Sequence, residues 1–344
     1  MFRRKKDQAK RSAKETEPVP SRAGVVARAF AWLVVLAGLG AAGVLGMKAL
    51  ERRVLLAQAA KKPIVAVRVW FARSPAWLPL SLAREIAYSL VPQGAKFQDA
   101  GLTAGAFSRA SVNPWIRRVN RVTKRPTSDP AIAGVEVDCE FRKPIARVSA
   151  GGEDAYVDVE AVRLPSRDLP QWVVEVPASA VPACLQRQPA PSGTAQLYFR
   201  DTDALPANRP ARGVHYIAIV GAQAAPPAVG QPWQGQDVRE GLRLVQLVLE
   251  KPYANQITTV DVRNYNGRIS RGEPHLRMRA QIGDGPCTDI RFGRFPASDG
   301  LDYEVSAEEK MSSLDDWYRD HNGTLTGLAA YIDLQYDELH YGVN

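Results

Sequence analysis

From Pro144 onward, the sequence consists mainly of short runs in which apolar and polar residues alternate, with turn-forming residues between them. A period of two is typical of a half-buried β-strand, because successive side chains point to opposite faces of a sheet. The runs are IARVSA, AYVDVEAVRL, QWVVEV, AQLYFR, VHYIAIVG, ITTVDVRNY, HLRMRAQIG, DIRFGRF and AYIDLQYD. They predict a mostly β domain over residues 144–344.

Two segments of this domain have a helical period instead. In VREGLRLVQLVLE one stripe holds the apolar residues Val238, Leu242, Val245 and Leu249. SAEEKMSSLDDWYRDH begins with the capping-box pair Ser306 and Glu309, and its apolar side holds Met311, Leu314 and Trp317 or Tyr318. Both segments are predicted to be helices that pack on the strands.

A different pattern precedes this domain, over residues 63–143. IVAVRVWF alternates as a strand, SLAREIAYSL carries apolar residues at helical spacing, and a weaker helical stretch lies around residues 103–109. NPWIRRVNRVTKRP and AGVEVDCEF then supply two strand patterns, with Trp115 predicted in the core and Cys139 as a small buried residue. The order β-α-α-β-β predicts a small α+β module with its helices on one face of a three-stranded sheet.

The net charge of +9 lies in the first part of the chain. Residues 1–62 hold 14 Lys or Arg and 4 Asp or Glu, whereas the remaining residues hold 31 and 32. Phosphate backbones require clustered Lys and Arg on the binding domain itself. A nucleic-acid-binding body is therefore disfavoured.

The stretch AFAWLVVLAGLGAAGVLGM, residues 29–47, contains no charged residue. As a helix it would extend about 28 Å, close to the thickness of a hydrocarbon core. It predicts a single transmembrane helix between a basic cytoplasmic tail, residues 1–28, and a linker, residues 48–62. The body would then be periplasmic, in a type II arrangement in the inner membrane. A signal peptide cleaved after AQA, residues 57–59, is the alternative and is disfavoured because the apolar run is too long.

The last of the alternating runs, YIDLQYD, places Ile332, Leu334 and Tyr336 on one face and Tyr331, Asp333 and Gln335 on the other. We predict a strand with Ile332, Leu334 and Tyr336 toward the core. A strand at this place is either the last piece of a closed sheet or an edge with which another chain pairs.

Chemistry-bearing motifs point away from catalysis. The residues His215, His275, His321 and His340 occur in no metal-ligand spacing, and the sequence has no GxSxG motif. One interpretation is an acid–base or metal cluster formed by Asp315, Asp316, Asp320 and His321. The favoured interpretation is that these residues form the solvated face and end of an amphipathic helix. We therefore expect no catalytic residue, no cofactor and no metal. The cysteines Cys139, Cys184 and Cys287 leave open whether a disulfide forms.

Five segments follow one another in the chain: NPWIRRVNRVTKRP, EFRKPIARV with AYVDVEAVRLP, and EKMSSLDDWYRDH with YIDLQYD. Taken in this order, they resemble the FtsQ/DivIB family of bacterial cell-division proteins. The resemblance covers nearly the whole chain and implies a polypeptide-transport-associated (POTRA) domain over residues 63–143, followed by the β domain. The chain departs from the family at Gln335, where an arginine is common, and at Glu160 and Ala161, where a glycine is usual.

The resemblance implies a non-catalytic scaffold of the divisome, enriched at the division septum. Partners similar to FtsB and FtsL would bind by strand addition at the last strand. The implied partner-binding residues are Tyr331, Ile332, Asp333, Leu334, Gln335, Tyr336 and Tyr341. Two alternatives are another POTRA-bearing protein of envelope assembly or secretion, and an anchored periplasmic enzyme.

Overall fold

The computed structural model describes residues 32, 42–54, 66–126, 132–177, 194–206, 208–296 and 304–342. The chain has two compact units, Met1–Pro63 and Ile64–Asn344, and each is described by itself.

The first unit contains helix α1, residues 42–54, whose side chains are all exposed. The described part of this helix extends about 20 Å at the usual helical rise. Its charged residues are Lys48, Glu51, Arg52 and Arg53. The helix thus joins the end of the predicted span to the start of the predicted linker.

Within the part of the chain that the structure describes, no helix is both long and apolar enough to cross a membrane. The predicted fold class is therefore wrong in its transmembrane helix. Apart from Trp32 and residues 42–47, the predicted span 29–47 lies outside the described residues, as does the predicted tail 1–28. The described chain is an α+β protein.

The second unit begins with an N-terminal module, residues 66–141, whose elements follow in the predicted order β-α-α-β-β. They are β1 (Ala66–Phe71), α2 (Leu80–Leu90), α3 (Leu102–Val112), β2 (Ile116–Pro126) and β3 (Ile132–Phe141). In the sheet, β3 lies in the middle, parallel to β1 and antiparallel to β2.

One face of this small sheet carries both helices. The helices bury Leu82, Ile86, Leu90, Leu102, Ala106 and Ala110. These pack on the apolar residues of β3, Val135, Val137 and Cys139, while the residues between them point to the other face. Trp115 is buried at the turn into β2, as predicted.

The β domain, residues 144–342, contains twelve strands and two helices among its described residues. The strands are β4 (Ala146–Ala150), β5 (Glu153–Val157), β6 (Arg163–Leu164), β7 (Pro170–Pro177), β8 (Thr194–Arg200), β9 (Ala211–Gly213), β10 (Ile217–Val220), β11 (Ile257–Asp261), β12 (Leu276–Ala280), β13 (Thr288–Gly293), β14 (Tyr331–Asp333) and β15 (His340–Gly342). The helices are α4 (Gln236–Leu249) and α5 (Ala307–Asp320).

Nine of these strands form one sheet in the order β15-β14-β13-β12-β11-β10-β4-β5-β6. The other three form a small sheet in the order β8-β7-β9. Strand β10 pairs in parallel with both β4 and β11, so strands distant in the sequence meet at the centre of the large sheet.

Helices α4 and α5 contribute to the same apolar core as the large sheet. In α4, Val238, Leu242 and Val245 are buried as predicted, whereas Leu249 at its end is 41% exposed. The predicted capping box of α5 is confirmed, because Ser306 and Glu309 each accept a hydrogen bond from the other's backbone N–H.

Arg142 joins the N-terminal module to the β domain. Its Nη1 donates to Asp158 Oδ2 at 2.5 Å and to Glu160 Oε2 at 2.7 Å. The Asp158 side chain is only 1% exposed, and its other oxygen accepts from the backbone N–H groups of Glu160 and Val162. A second arginine, Arg117 on β2, also pairs with Glu160, and both arginines hold the pKa of Glu160 below its usual range.

A second polar contact ties α2 to the small sheet of the β domain. Arg200 on β8 donates to Glu85 Oε2 at 2.8 Å and to Asp168 Oδ1 at 3.1 Å. Ser81, in the first turn of α2, donates to Asp203 Oδ2 at 2.6 Å. The side chains of Leu164 and Leu169 from the β domain enter the apolar core of the N-terminal module. The two parts of this unit therefore share both polar and apolar contacts.

We predict that Arg142→Ala lowers the free energy of unfolding by about 3 kcal/mol, because it leaves the buried Asp158 carboxylate without its cation. The matched control is Arg147→Ala, which breaks the exposed Arg147–Asp154 pair. That control should cost less than about 1 kcal/mol. Urea unfolding of the two variants measures the difference, and equal losses would contradict a special role for Arg142.

Candidate partner-binding edge

Strand β15 is the last strand at one end of the nine-stranded sheet. It pairs antiparallel with β14, and no described residue pairs with its other side. The opposite end of the sheet is covered, because Arg163 on β6 donates its N–H to Gln231 O and accepts at its carbonyl from Gly230 N. The edge at β15 is therefore the end of this sheet at which the structure leaves room for another strand.

The backbone of β15 presents Tyr341 to the open side. On the side of β14 that faces β13, the carbonyl of Ala330 accepts from Asp289 N–H and the N–H of Leu334 donates to Arg291 O. Backbone groups alternate sides along a strand, so Tyr331 and Asp333 face β15. They pair there with Gly342 and His340. The N–H and C=O of Tyr341, between these two, consequently point away from the sheet.

An aromatic cluster lies beside β15 on the face that carries α5. The ring of Tyr341 lies 4.9 Å from the ring of Trp317, which stacks at 3.9 Å on the ring of His321. His321 Nδ1 is 2.8 Å from the carbonyl oxygen of Trp317, which fixes the imidazole against the end of α5. Trp317 is 6% exposed and Tyr341 is 53% exposed, so the cluster leads from the core to the surface at the open edge.

On the other face of the sheet, Tyr331 lies between an arginine and a glycine. The guanidinium carbon of Arg291 on β13 is 3.9 Å from the centroid of the Tyr331 ring, within cation–π distance. A Cβ atom at Gly342 would overlap the same ring. Glycine at this position in β15 thus lets the ring lie over the backbone of the edge strand.

Charged residues continue along this face from Tyr331. On β13, Asp289 Oδ2 lies 3.5 Å from Arg277 Nη1 and 3.8 Å from Arg291 Nε. Arg291 Nη1 also lies 3.8 Å from Asp333 Oδ2. Burial raises the pKa of Asp289 above its usual range, and the two arginines offset only part of that effect. The carboxylate is therefore less favoured in the fold than in the unfolded chain.

The structure brings five of the implied partner-binding residues to the end of the sheet. Tyr331, Ile332 and Asp333 form β14, Leu334 follows them, and Tyr341 lies opposite Ile332 in β15. Ile332 and Leu334 are buried in the core, as their alternation predicted. Asp333 is 8% exposed and differs from the prediction of an outward residue, because it pairs with Arg291 and accepts from Gln335.

The predicted strand over residues 331–337 is too long, and it is not the edge of the sheet. Gln335 turns away from the strand because its N–H donates to Asp333 Oδ1 at 3.1 Å and its carbonyl accepts from Val305. Tyr336, predicted in the core, is 52% exposed and its ring lies 5.9 Å from that of His340. The edge position belongs to β15, outside β14.

Sequence reasoning missed β15 itself and the contacts of Arg291 and Trp317. A three-residue strand is too short to show an alternation, and HYG contains one glycine.

The candidate acid–base cluster on α5 is used in packing. Asp315 accepts from Lys251 Nζ at 2.6 Å and from the Tyr253 hydroxyl at 2.9 Å. Asp316 pairs with Arg319 one turn along the helix. Among the described residues, no group of three or more His, Cys, Asp or Glu side chains is placed to hold a metal ion.

An apolar cavity of about 270 Å³ lies between the N-terminal module and the β domain. It is lined by Trp77, Pro144, Tyr198, Tyr216 and Leu249, among others. Two polar side chains of its wall lie against backbone carbonyls, since Tyr216 donates to Pro170 O and His215 Nε2 lies 2.7 Å from Ile257 O. Burial raises the pKa of Tyr216, which keeps its hydroxyl protonated. The wall of the cavity is thus mainly apolar.

Comparison with known proteins gives no match to a protein family and no significant match to a curated protein.

We predict that Gly342→Ala lowers the free energy of unfolding by about 1–3 kcal/mol, because the added Cβ must displace the Tyr331 ring from Arg291. Gly213→Ala is the matched control on another edge strand, β9, where a Cβ would meet nothing within 4 Å. Its effect should stay below about 0.5 kcal/mol. Thermal unfolding compares the two, and a neutral Gly342→Ala variant would show that the ring does not require glycine.

We predict that Asp289 makes the fold more stable as the pH falls. A carboxyl group whose pKa is higher in the folded chain binds its proton more tightly there, so its stabilising effect grows between the folded pKa and the ordinary value of 3.8. The unfolding free energy of wild type minus that of Asp289→Asn should therefore increase from pH 7 to pH 3. A decrease over that range would mean that the arginines control the titration.

Proposed function

We propose that the chain is a non-catalytic scaffold of cell division that binds partner proteins similar to FtsB and FtsL. It acts in the cell envelope at the division septum, with residues 64–344 on the outer side of the cytoplasmic membrane. The resemblance of five sequence segments to the FtsQ/DivIB family motivates this proposal. The observation that carries it is the open edge at β15, where the N–H and C=O of Tyr341 point away from the sheet.

Strand addition suits this edge for two reasons. An added strand completes the hydrogen bonds of β15, which supplies affinity without regard to sequence. Its side chains then alternate between the aromatic cluster of Trp317 and Tyr341 on one face and the Tyr331 ring on the other. These two different surfaces fix the register of the partner, because a shift by one residue would exchange its faces.

We predict that Tyr341→Pro reduces binding to the FtsB-like and FtsL-like partners at least about tenfold, since it removes an outward donor and adds a ring where the partner approaches. The backbone N–H and C=O of residue 341 form no hydrogen bond with β14, so the fold should persist. Tyr341→Ala is the matched control. It removes the same side chain and keeps the N–H, and it should bind more tightly than the proline variant.

Co-purification of the full chain with its partners from the native cell measures these differences, and thermal unfolding checks that each variant folds. Unchanged binding by a folded Tyr341→Pro variant would refute strand addition at β15. A fluorescent fusion of the wild-type chain tests the division assignment separately. Distribution over the whole envelope, without enrichment at the septum, would refute it.

A further inference from the structure

The residues that surround the open edge form an exposed rim with a distinct composition. Tyr336, Asp337, Glu338, His340 and Tyr341 are all exposed and occupy the turn before β15 and β15 itself. We call these residues, together with Asp320 at the end of α5, the rim. It combines aromatic rings with carboxylates beside the outward backbone groups of Tyr341.

The carboxylates of the rim have no counter-ion within the part of the chain that the structure describes. The side chains of Asp320, Asp337 and Glu338 form no ion pair or hydrogen bond with any described residue. Neighbouring acids are neutralised, since Asp316 pairs with Arg319 and Asp333 with Arg291. The negative charge left at the edge therefore comes from three exposed side chains that the fold does not use for its own stability.

The tyrosines of the rim provide a second feature that a cation can use. Tyr336 and Tyr341 are 52% and 53% exposed, so each presents much of its ring to solvent. Arginine and lysine bind to such rings by cation–π contact and lay their aliphatic stems on them. The same kind of contact already occurs within the chain, between Arg291 and Tyr331 at the adjacent position in the sheet.

A second copy of this chain fits the edge poorly. Two β15 strands that pair about a two-fold axis run antiparallel, so Asp337 and Glu338 of one chain lie beyond the far end of the other chain's strand. Strand β15 contains no Lys or Arg, so a second copy brings no cation to these carboxylates. The rim thus favours a different protein with the opposite charge.

Resting on the proposed function, we infer that the edge at β15 takes an extended basic segment of a partner, with arginine or lysine side chains placed over the rim tyrosines and beside Asp320, Asp337 and Glu338. Main-chain bonds to Tyr341 hold the segment, and the rim charges select it. Electrostatic selection of this kind speeds association and excludes partners of the wrong charge.

Two labelled peptides of about ten residues, the usual length of a long strand, test this inference. One alternates valine with arginine, and the other alternates valine with glutamate. Fluorescence anisotropy measures binding of each to the full chain. We expect the basic peptide to bind at least about tenfold more tightly at low salt, and its advantage to shrink as salt screens the charges.

Two double variants make the test specific to the rim. Asp337→Lys with Glu338→Lys should reverse the preference to the acidic peptide. Glu153→Lys with Asp154→Lys makes the same change in net charge on β5, near the covered end of the sheet, and should leave the preference as in wild type. Equal effects of the two double variants would show attraction to net charge alone and would overturn the inference.

The outcomes also separate this inference from the proposed function. If both peptides bind wild type equally and Tyr341→Pro abolishes both, strand addition stands and the basic partner is refuted. If Tyr341→Pro leaves peptide and partner binding unchanged, the edge itself is refuted. Binding of the basic peptide that is lost in Tyr341→Pro and reversed in the rim variant supports both.

Discussion

The architecture of the second unit depends on how its sheets satisfy backbone hydrogen bonds at their edges. Every strand at the end of a sheet presents N–H and C=O groups that invite another strand. At β6 the segment around Gly230 and Gln231 covers those groups. At β2, a long edge strand, two register shifts interrupt the pairing, and arginines together with Pro126 make a continuous partner unfavourable. Strand β15 has neither kind of protection among the described residues.

The contacts around Arg142 and Arg200 hold the N-terminal module against the β domain, which carries the open edge. They connect the N-terminal module to the β domain at two separate places, and apolar residues of the β domain fill part of the core of the module. The large sheet that ends at β15 is therefore packed against the N-terminal module at its other end, where β6 lies. The proposed scaffold role needs such support, because a partner held by one strand gains a fixed position only if the strand itself is fixed.

The sequence predicted most of the helices and strands, because their signals are local. Amphipathic spacing identified α2, α4 and α5, and alternation identified most of the longer strands. The transmembrane helix is the error in fold class, since among the described residues no helix is suited to cross a membrane. At the site, the alternation of apolar and polar residues continues through Tyr336 in the sequence. The chain nevertheless turns at Gln335, whose N–H bonds to the Asp333 side chain instead of to a neighbouring strand. Non-local contacts such as that between Trp317 and Tyr341 leave no periodic trace in a sequence.

The rim relates the open edge at β15 to the choice of its occupant. Its carboxylates have no counter-ion among the described residues and gain none from β15 of a second copy, so they do not favour self-association. The same charges lower the cost of pairing with a basic segment, because binding neutralises them. One set of side chains can therefore favour a basic partner over a second copy of the chain. The tyrosines add selectivity that charge alone lacks, because a cation gains a cation–π contact only when a bound strand places it over their rings.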